Sequence, residues 1–206
     1  MSAMTAKRVM SVSRVKSMNT DLPDDKDAPD LLDFEAQALY FEDALPEEVS
    51  SLIAAAAEGY GSDTAEASLL RAYFLEPDHL TVLVALYRYF YYQHRYPDAF
   101  LVAERAMAVA GKRLGIQEDW QTLGMESLSA AIAESMTLTR FYLMALKGSG
   151  YLKLRMNEAE AGLKRLEKVA ELDLDDRLGV HALVEIARNE LRRQELDNYN
   201  NVFSIT

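Results

Sequence analysis

LTVLVALYRYFYYQHRYPDAFLVAERAMAVAG, Leu80 to Gly111, is the stretch whose reading decides the fold. It reads as two helices joined by a short turn, with Pro97 opening the second and Gly111 closing it. Five tyrosines fall within ten residues: Tyr87, Tyr89, Tyr91, Tyr92 and Tyr96. The first helix, about His79 to Gln93, is apolar nearly all round, which predicts packing on several sides and a central position. The stretch also repeats a pattern just upstream. Ala65, Leu69, Ala72 and Pro77 are followed 34 residues later by Ala99, Ala103, Ala106 and Gly111. Val49, Leu52 and Ala56 are followed at the same distance by Leu83, Leu86 and Phe90. A 34-residue recurrence of small and apolar positions is the sign of a stacked helix–turn–helix repeat, an architecture used mostly to bind other proteins.

Composition agrees with an all-α protein. Half of the 206 residues are hydrophobic, alanine and leucine abound, and there are only nine glycines and five prolines. The absence of cysteine excludes disulfides, thiolate nucleophiles and thiolate metal sites. No apolar run approaches the roughly 18–20 residues a membrane-spanning helix needs. The basic start (Lys7, Arg8, Arg14, Lys16) lacks the apolar segment of a secretory signal, so a cytoplasmic location without membrane contact is expected. The net charge of −11 is unevenly spread. Residues 17–48 hold eleven acids and one base, so most of the acidity precedes the repeats. An acidic chain argues against nucleic acid as a partner, because phosphate binding needs basic surface.

Outside the hairpin the chain divides readily. Residues 1–30 are polar, with five aspartates and two prolines between Asp21 and Asp30, and read as a disordered arm. Its basic start could instead dock intramolecularly or on an acidic partner. A short helix capped by Asp30 or Asp33 is expected to run to about Asp43, with Leu31, Phe34, Ala38 and Phe41 on one face. A helical domain is thus expected over 31–196 and a flexible tail over 197–206. Further helices are expected at about 46–58, 64–75 with Asp63 or Ser62 as cap, 118–135, 138–155, 157–172 and 177–196. Asp78 is read as the cap of the helix at 79. Beyond Gly111 the spacing breaks, and Trp120-Gln121-Thr122-Leu123-Gly124 restores the front of a repeat at a shift of 37 rather than 34. The final helix carries apolar Leu178, Ala182, Leu183, Ile186, Ala187 and Leu191 on one face and charges on the other, as an end cap of an array should.

The repeat resembles the tetratricopeptide family, whose first helix favours Trp-x2-Leu-Gly-x2-Tyr and whose second favours Ala-x3-Phe-x2-Ala and a closing Pro. Ala65, Leu69, Ala72 and Pro77 match in repeat one, with Glu76-Pro77 where Asp-Pro is common. Leu83, Leu86, Phe90, Ala99, Ala103 and Ala106 match in repeat two. Trp120, Leu123 and Gly124 match three first-helix positions, with Ser127 in the tyrosine place, and Gly162, Leu166 and Val169 match loosely further on. The resemblance covers about residues 46–173. It implies a right-handed α-solenoid of hairpins with a C-terminal capping helix, whose first helices line a concave groove for a protein or peptide segment. Mapped residue by residue, the groove positions are Thr81, Val84, Arg88, Tyr91 and Tyr92, then Lys147, Tyr151 and Arg155, with Glu47, Ser50, Ala54 and Glu58 from repeat one. Tyr87, Tyr89 and Tyr96 are read as core. The implied function is a non-enzymatic interaction module, an adaptor or chaperone. The order of leader helix, three repeats and capping helix is also similar to type III secretion translocator chaperones. A self-associating subunit, such as a homodimer, is the other reading.

The sequence carries no familiar catalytic or cofactor pattern. There is no Gly-x4-Gly-Lys loop, dinucleotide fingerprint or His-Glu-x2-His site, and Gly148-Ser149-Gly150 has no strand before it. His79 and His94 stand at a helix start and in a turn, and are read as structural. His181 and Glu185 are one helical turn apart, which suits an ion pair rather than a metal. Asp173-x-Asp175-Asp176 lacks the glycine and distal glutamate of a calcium loop and reads as helix capping. Neither cofactor nor catalysis is expected.

Overall fold

The computed structural model describes residues 43–116 and 119–203, and these form eight α-helices and no strand. The arm at 1–30 and the leader helix ending near Asp43 lie outside the described residues. The helices are α1 (Glu47–Glu58), α2 (Asp63–Leu75), α3 (Leu80–Tyr92), α4 (Tyr96–Arg113), α5 (Met125–Glu134), α6 (Met136–Arg155), α7 (Ala159–Leu172) and α8 (His181–Phe203). Packing follows chain order: α1 on α2, α2 on α3, α3 on α4, α4 on α6, α6 on α7 and α7 on α8, while α5 packs chiefly on α6.

Local sequence explains most boundaries. Pro46 stands immediately before α1 and Pro97 in the first turn of α4, where a missing N–H leaves no bond unmade. Gly59 and Gly61 separate α1 from α2, and Gly61 has φ +88°. Three helices end in the same way, with the residue beyond the cap in the left-handed region and two backbone bonds closing the last turn. At α4 this residue is Gly115, and the Ile116 N–H donates to the Gly111 carbonyl at 2.9 Å. At α3 it is His94, with Arg95 N–H to Phe90 O at 2.9 Å; at α6 it is Asn157, with Glu158 N–H to Lys153 O at 2.9 Å.

Several expectations are corrected. Gly111 does not end its helix. It lies inside α4, where a Cβ would stand 3.2 Å from the Tyr142 ring, so its smallness serves contact with α6. Asp78 does not cap α3: the His79 Nδ1 accepts the Thr81 N–H at 3.3 Å, and Asp78 pairs with Arg105 instead. Trp120, Leu123 and Gly124 are not on a helix but in the turns ahead of α5, which is shorter than the expected 118–135. His181 pairs with Asp176 at 3.0 Å rather than with Glu185, which pairs with Arg188. The Asp176 carboxylate also takes the Val180 N–H at 2.6 Å, so α8 begins at His181 rather than 177. It runs to Phe203, through most of the segment expected to be a tail.

Two helices carry the core. α3 buries Leu80, Leu83, Leu86, Tyr87 and Phe90, as its apolar circumference requires. α6 goes further: every residue from Phe141 to Leu152 is buried. Each large apolar side chain so placed contributes about 1.5–3 kcal/mol relative to exposure. The alanine and glycine positions set the spacing. Ala99, Ala103 and Ala106 of α4 are at most 1% exposed and let helix backbones approach closely.

Candidate functional site

The most distinctive chemistry gathers at the C-terminal ends of α3 and α6 and the adjoining turns. Tyr91 is its hub. Its ring centroid lies 6.0 Å from Tyr87, 5.6 Å from Tyr92, 6.1 Å from Tyr96 and 6.4 Å from Tyr151 of α6. These spacings fall in the range in which offset and edge-to-face pairs are favourable. Tyr60, from the turn after α1, joins the far side, 6.1 Å from Tyr89 and 6.4 Å from Tyr92. Desolvation by the neighbouring rings pushes the Tyr60 and Tyr89 hydroxyls above their ordinary pKa.

Cations close the cluster. The Arg155 guanidinium stands 4.5 Å above the Tyr96 ring, donates to the Tyr151 hydroxyl at 3.1 Å and donates to the Tyr96 hydroxyl. That hydroxyl is also 2.9 Å from the His94 ring. Arg95 lies 4.4 Å over Phe90 and donates to Glu66 at 2.6 Å and Asp98 at 2.7 Å. Those two carboxylates hold it even more firmly protonated than an ordinary arginine. A planar guanidinium can stack on a ring and still present donors to a carboxylate, which an ammonium cannot do.

The positions read from sequence divide into two sets. Val84, Tyr91, Lys147 and Tyr151 are buried, with 2, 0, 2 and 1% exposure, and offer no surface in this conformation. For Tyr91 of α3 and Tyr151 of α6 the physical reason is close approach: their rings meet, so the two side chains pack on each other instead of lining an open groove. Lys147 in addition donates to the Leu178 carbonyl at 2.5 Å. Thr81, Arg88 and Arg155 are half-buried and Tyr92 is 43% exposed. Glu47, Ser50, Ala54 and Glu58 of α1 are exposed. Tyr87 and Tyr89 are core, as expected, while Tyr96 is half-buried and belongs to the arginine cluster.

Sequence reasoning missed Tyr60, Arg95 and a hollow of about 580 Å³ walled by Met107, Gly111, Ile116, Trp120 and Tyr142. Arg165 lies 4.7 Å over the Trp120 ring and pairs with Glu104 at 3.3 Å beside this hollow. The lone tryptophan was the available signal, but its place in a repeat motif drew attention away from the turn it occupies. Among the described residues no three His, Asp or Glu side chains converge as a metal site, and no helix is long and apolar enough to cross a membrane.

Comparison with known proteins adds one finding. The chain is 46% identical over 157 residues to an uncharacterized 19.8 kDa protein in the nifW 5′ region of Azotobacter chroococcum mcd 1, covering 76% of this chain and 88% of that one. No family model and no solved structure matches.

Proposed function

The chain belongs to the same family as that 19.8 kDa protein, and from this premise we propose that it is a non-enzymatic interaction module: a tetratricopeptide-like adaptor or chaperone that grips a segment of a partner protein. The carrying observation is the aromatic–arginine cluster where α3, α6 and the turn after α1 meet. Tyr60 and Tyr92 are exposed there beside Arg88 and Arg155. Tyrosine and arginine are the residues over-represented among binding hot spots, because they combine large contact area with directional donors. The order of packing, each hairpin on the next with α8 last, supports reading the molecule as a solenoid with a capping helix, and a right-handed one is what the tetratricopeptide resemblance implies. The ligand such a surface fits is an apolar segment with some acid.

The test is capture with the full chain as bait. The 19.8 kDa relative is named for the nifW 5′ region, so the product of nifW is the first prey to try. Arg88→Ala and Tyr92→Ala are expected to weaken capture by about 30-fold each, the scale of a 2 kcal/mol hot spot. Undiminished capture by both folded variants overturns the surface assignment.

A further inference from the structure

We propose that the hollow beside Trp120 is a binding site for a small uncharged aromatic molecule that carries an N–H donor. Arg88, Tyr92 and Arg155 are not among its walls, so the site stands independently of the partner-binding surface.

Size and walls supply the first argument. The hollow holds about 580 Å³, within the range of small-molecule sites. Met107, Ile116, Trp120 and Tyr142 give it apolar and aromatic walls. Gly111 lies between two of them. A Cβ there would stand 3.2 Å from the Tyr142 ring and 3.9 Å from the Ile116 Cβ, so bare backbone keeps that space free.

Charge is the second argument. Glu104, on the wall, pairs with Arg165 at 3.3 Å. Among the described residues the other charged side chains on the wall are Asp119 and Lys112, one of each sign. The surroundings are therefore neutral in sum. An ion entering them would give up water with no net opposite charge to meet, a cost that an uncharged molecule escapes. Arg165 also lies 4.7 Å over the Trp120 ring. That ring is already engaged with one cation, and a second would be repelled by the first.

An unmet acceptor is the third. The Glu104 Oε1 is buried and takes no hydrogen bond among the described residues. The Glu104 Oε2 has the Arg165 guanidinium at 3.3 Å, a long contact. A carboxylate accepts up to about four hydrogen bonds, and one left this short of them inside a protein calls for a further donor. An N–H on an aromatic frame answers this carboxylate and the ring walls together.

Benzamide, benzoate and benzamidinium share a shape and differ in charge, and methyl benzoate lacks the donor. Binding of each to the full chain can be read from broadening of the ligand's own NMR signals. Benzamide is expected to bind with a Kd of about 1 mM or tighter, and at least tenfold more tightly than each of the others. Equal or tighter binding of any of them overturns the proposal. So does the absence of benzamide binding at about 10 mM. Ala108 is exposed and lines the hollow, so Ala108→Phe narrows it without touching the core. This variant is expected to bind benzamide at least tenfold more weakly, and undiminished binding places the molecule elsewhere and overturns the assignment. Glu104→Gln is an independent reading. It leaves Arg165 unmatched and the surroundings positive, so the ratio of affinities is expected to move at least threefold toward benzoate. An unchanged ratio sinks the charge argument and the proposal with it.

Discussion

The carbonyl oxygen of Gly150 in α6 lies 2.9 Å from the point where a Cβ on Gly162 of α7 would stand. The Leu154 Cδ2 is nearer still, at 2.7 Å. One of these obstacles is backbone and cannot rotate away. Gly162→Ala is therefore expected to force α6 and α7 apart, costing about 1–3 kcal/mol as overpacking does. Urea unfolding checks this. Gly124→Ala, where a Cβ meets nothing within 4 Å, is the control and should shift the midpoint far less.

Asp176 anchors the start of α8. Desolvation works to raise its pKa, but hydrogen bonds from the His181 ring and the Val180 and His181 N–H groups outweigh it, and the net shift is downward. A carboxyl lowered in the folded state stabilises above its unfolded pKa of about 4 and loses that contribution as pH falls through the folded value. Acid should accordingly weaken the anchorage of the first turn of α8. Asp176→Ala is expected to cost about 1 kcal/mol near neutral pH, as loss of a cap does, and to lose its effect in acid. Stability curves at neutral and acid pH for both chains provide the check.

Arg155 links α6 to the start of α4 through Tyr96. Its removal loses a cation–π contact and donors to two hydroxyls, together about 1–3 kcal/mol. Arg155→Lys keeps the charge but not the fork, so it is expected to recover less than half of the loss. Near-UV circular dichroism of the tyrosines should change in both variants.

Tyr91 differs from its neighbour Tyr92 despite their adjacency in sequence. Tyr91→Ala empties a fully buried site and is expected to cost about 3–5 kcal/mol. Tyr92→Ala, at a side chain 43% exposed, is expected to leave thermal stability almost unchanged while reducing partner capture. Melting curves run beside the capture assay separate the two effects.

The helical hairpins were legible because their signals are local or periodic. Ala99, Ala103 and Ala106 recur on one face, and Pro97 and Gly59 punctuate the chain within a residue or two of the observed boundaries. The partition of the inner face was not legible. Helical period gives the direction in which Tyr91 and Tyr151 point, but not the distance between α3 and α6. That distance decides whether two rings line a channel or touch. Gly111 misled for a similar reason: as punctuation it ends a helix, whereas here it answers Tyr142, which lies 31 residues further along the chain. Tyr60 and Arg95 escaped notice because turns carry no period to read.

Trp120 is the only tryptophan, and it lines the hollow beside Gly111 and Tyr142, away from the hub at Tyr91. The molecule thereby carries a single-site optical reporter away from the tyrosine hub. Indole emission follows the hollow, where Arg165 overlies the ring at 4.7 Å. A ligand that shifts indole emission reports on the hollow, without any label added to the chain.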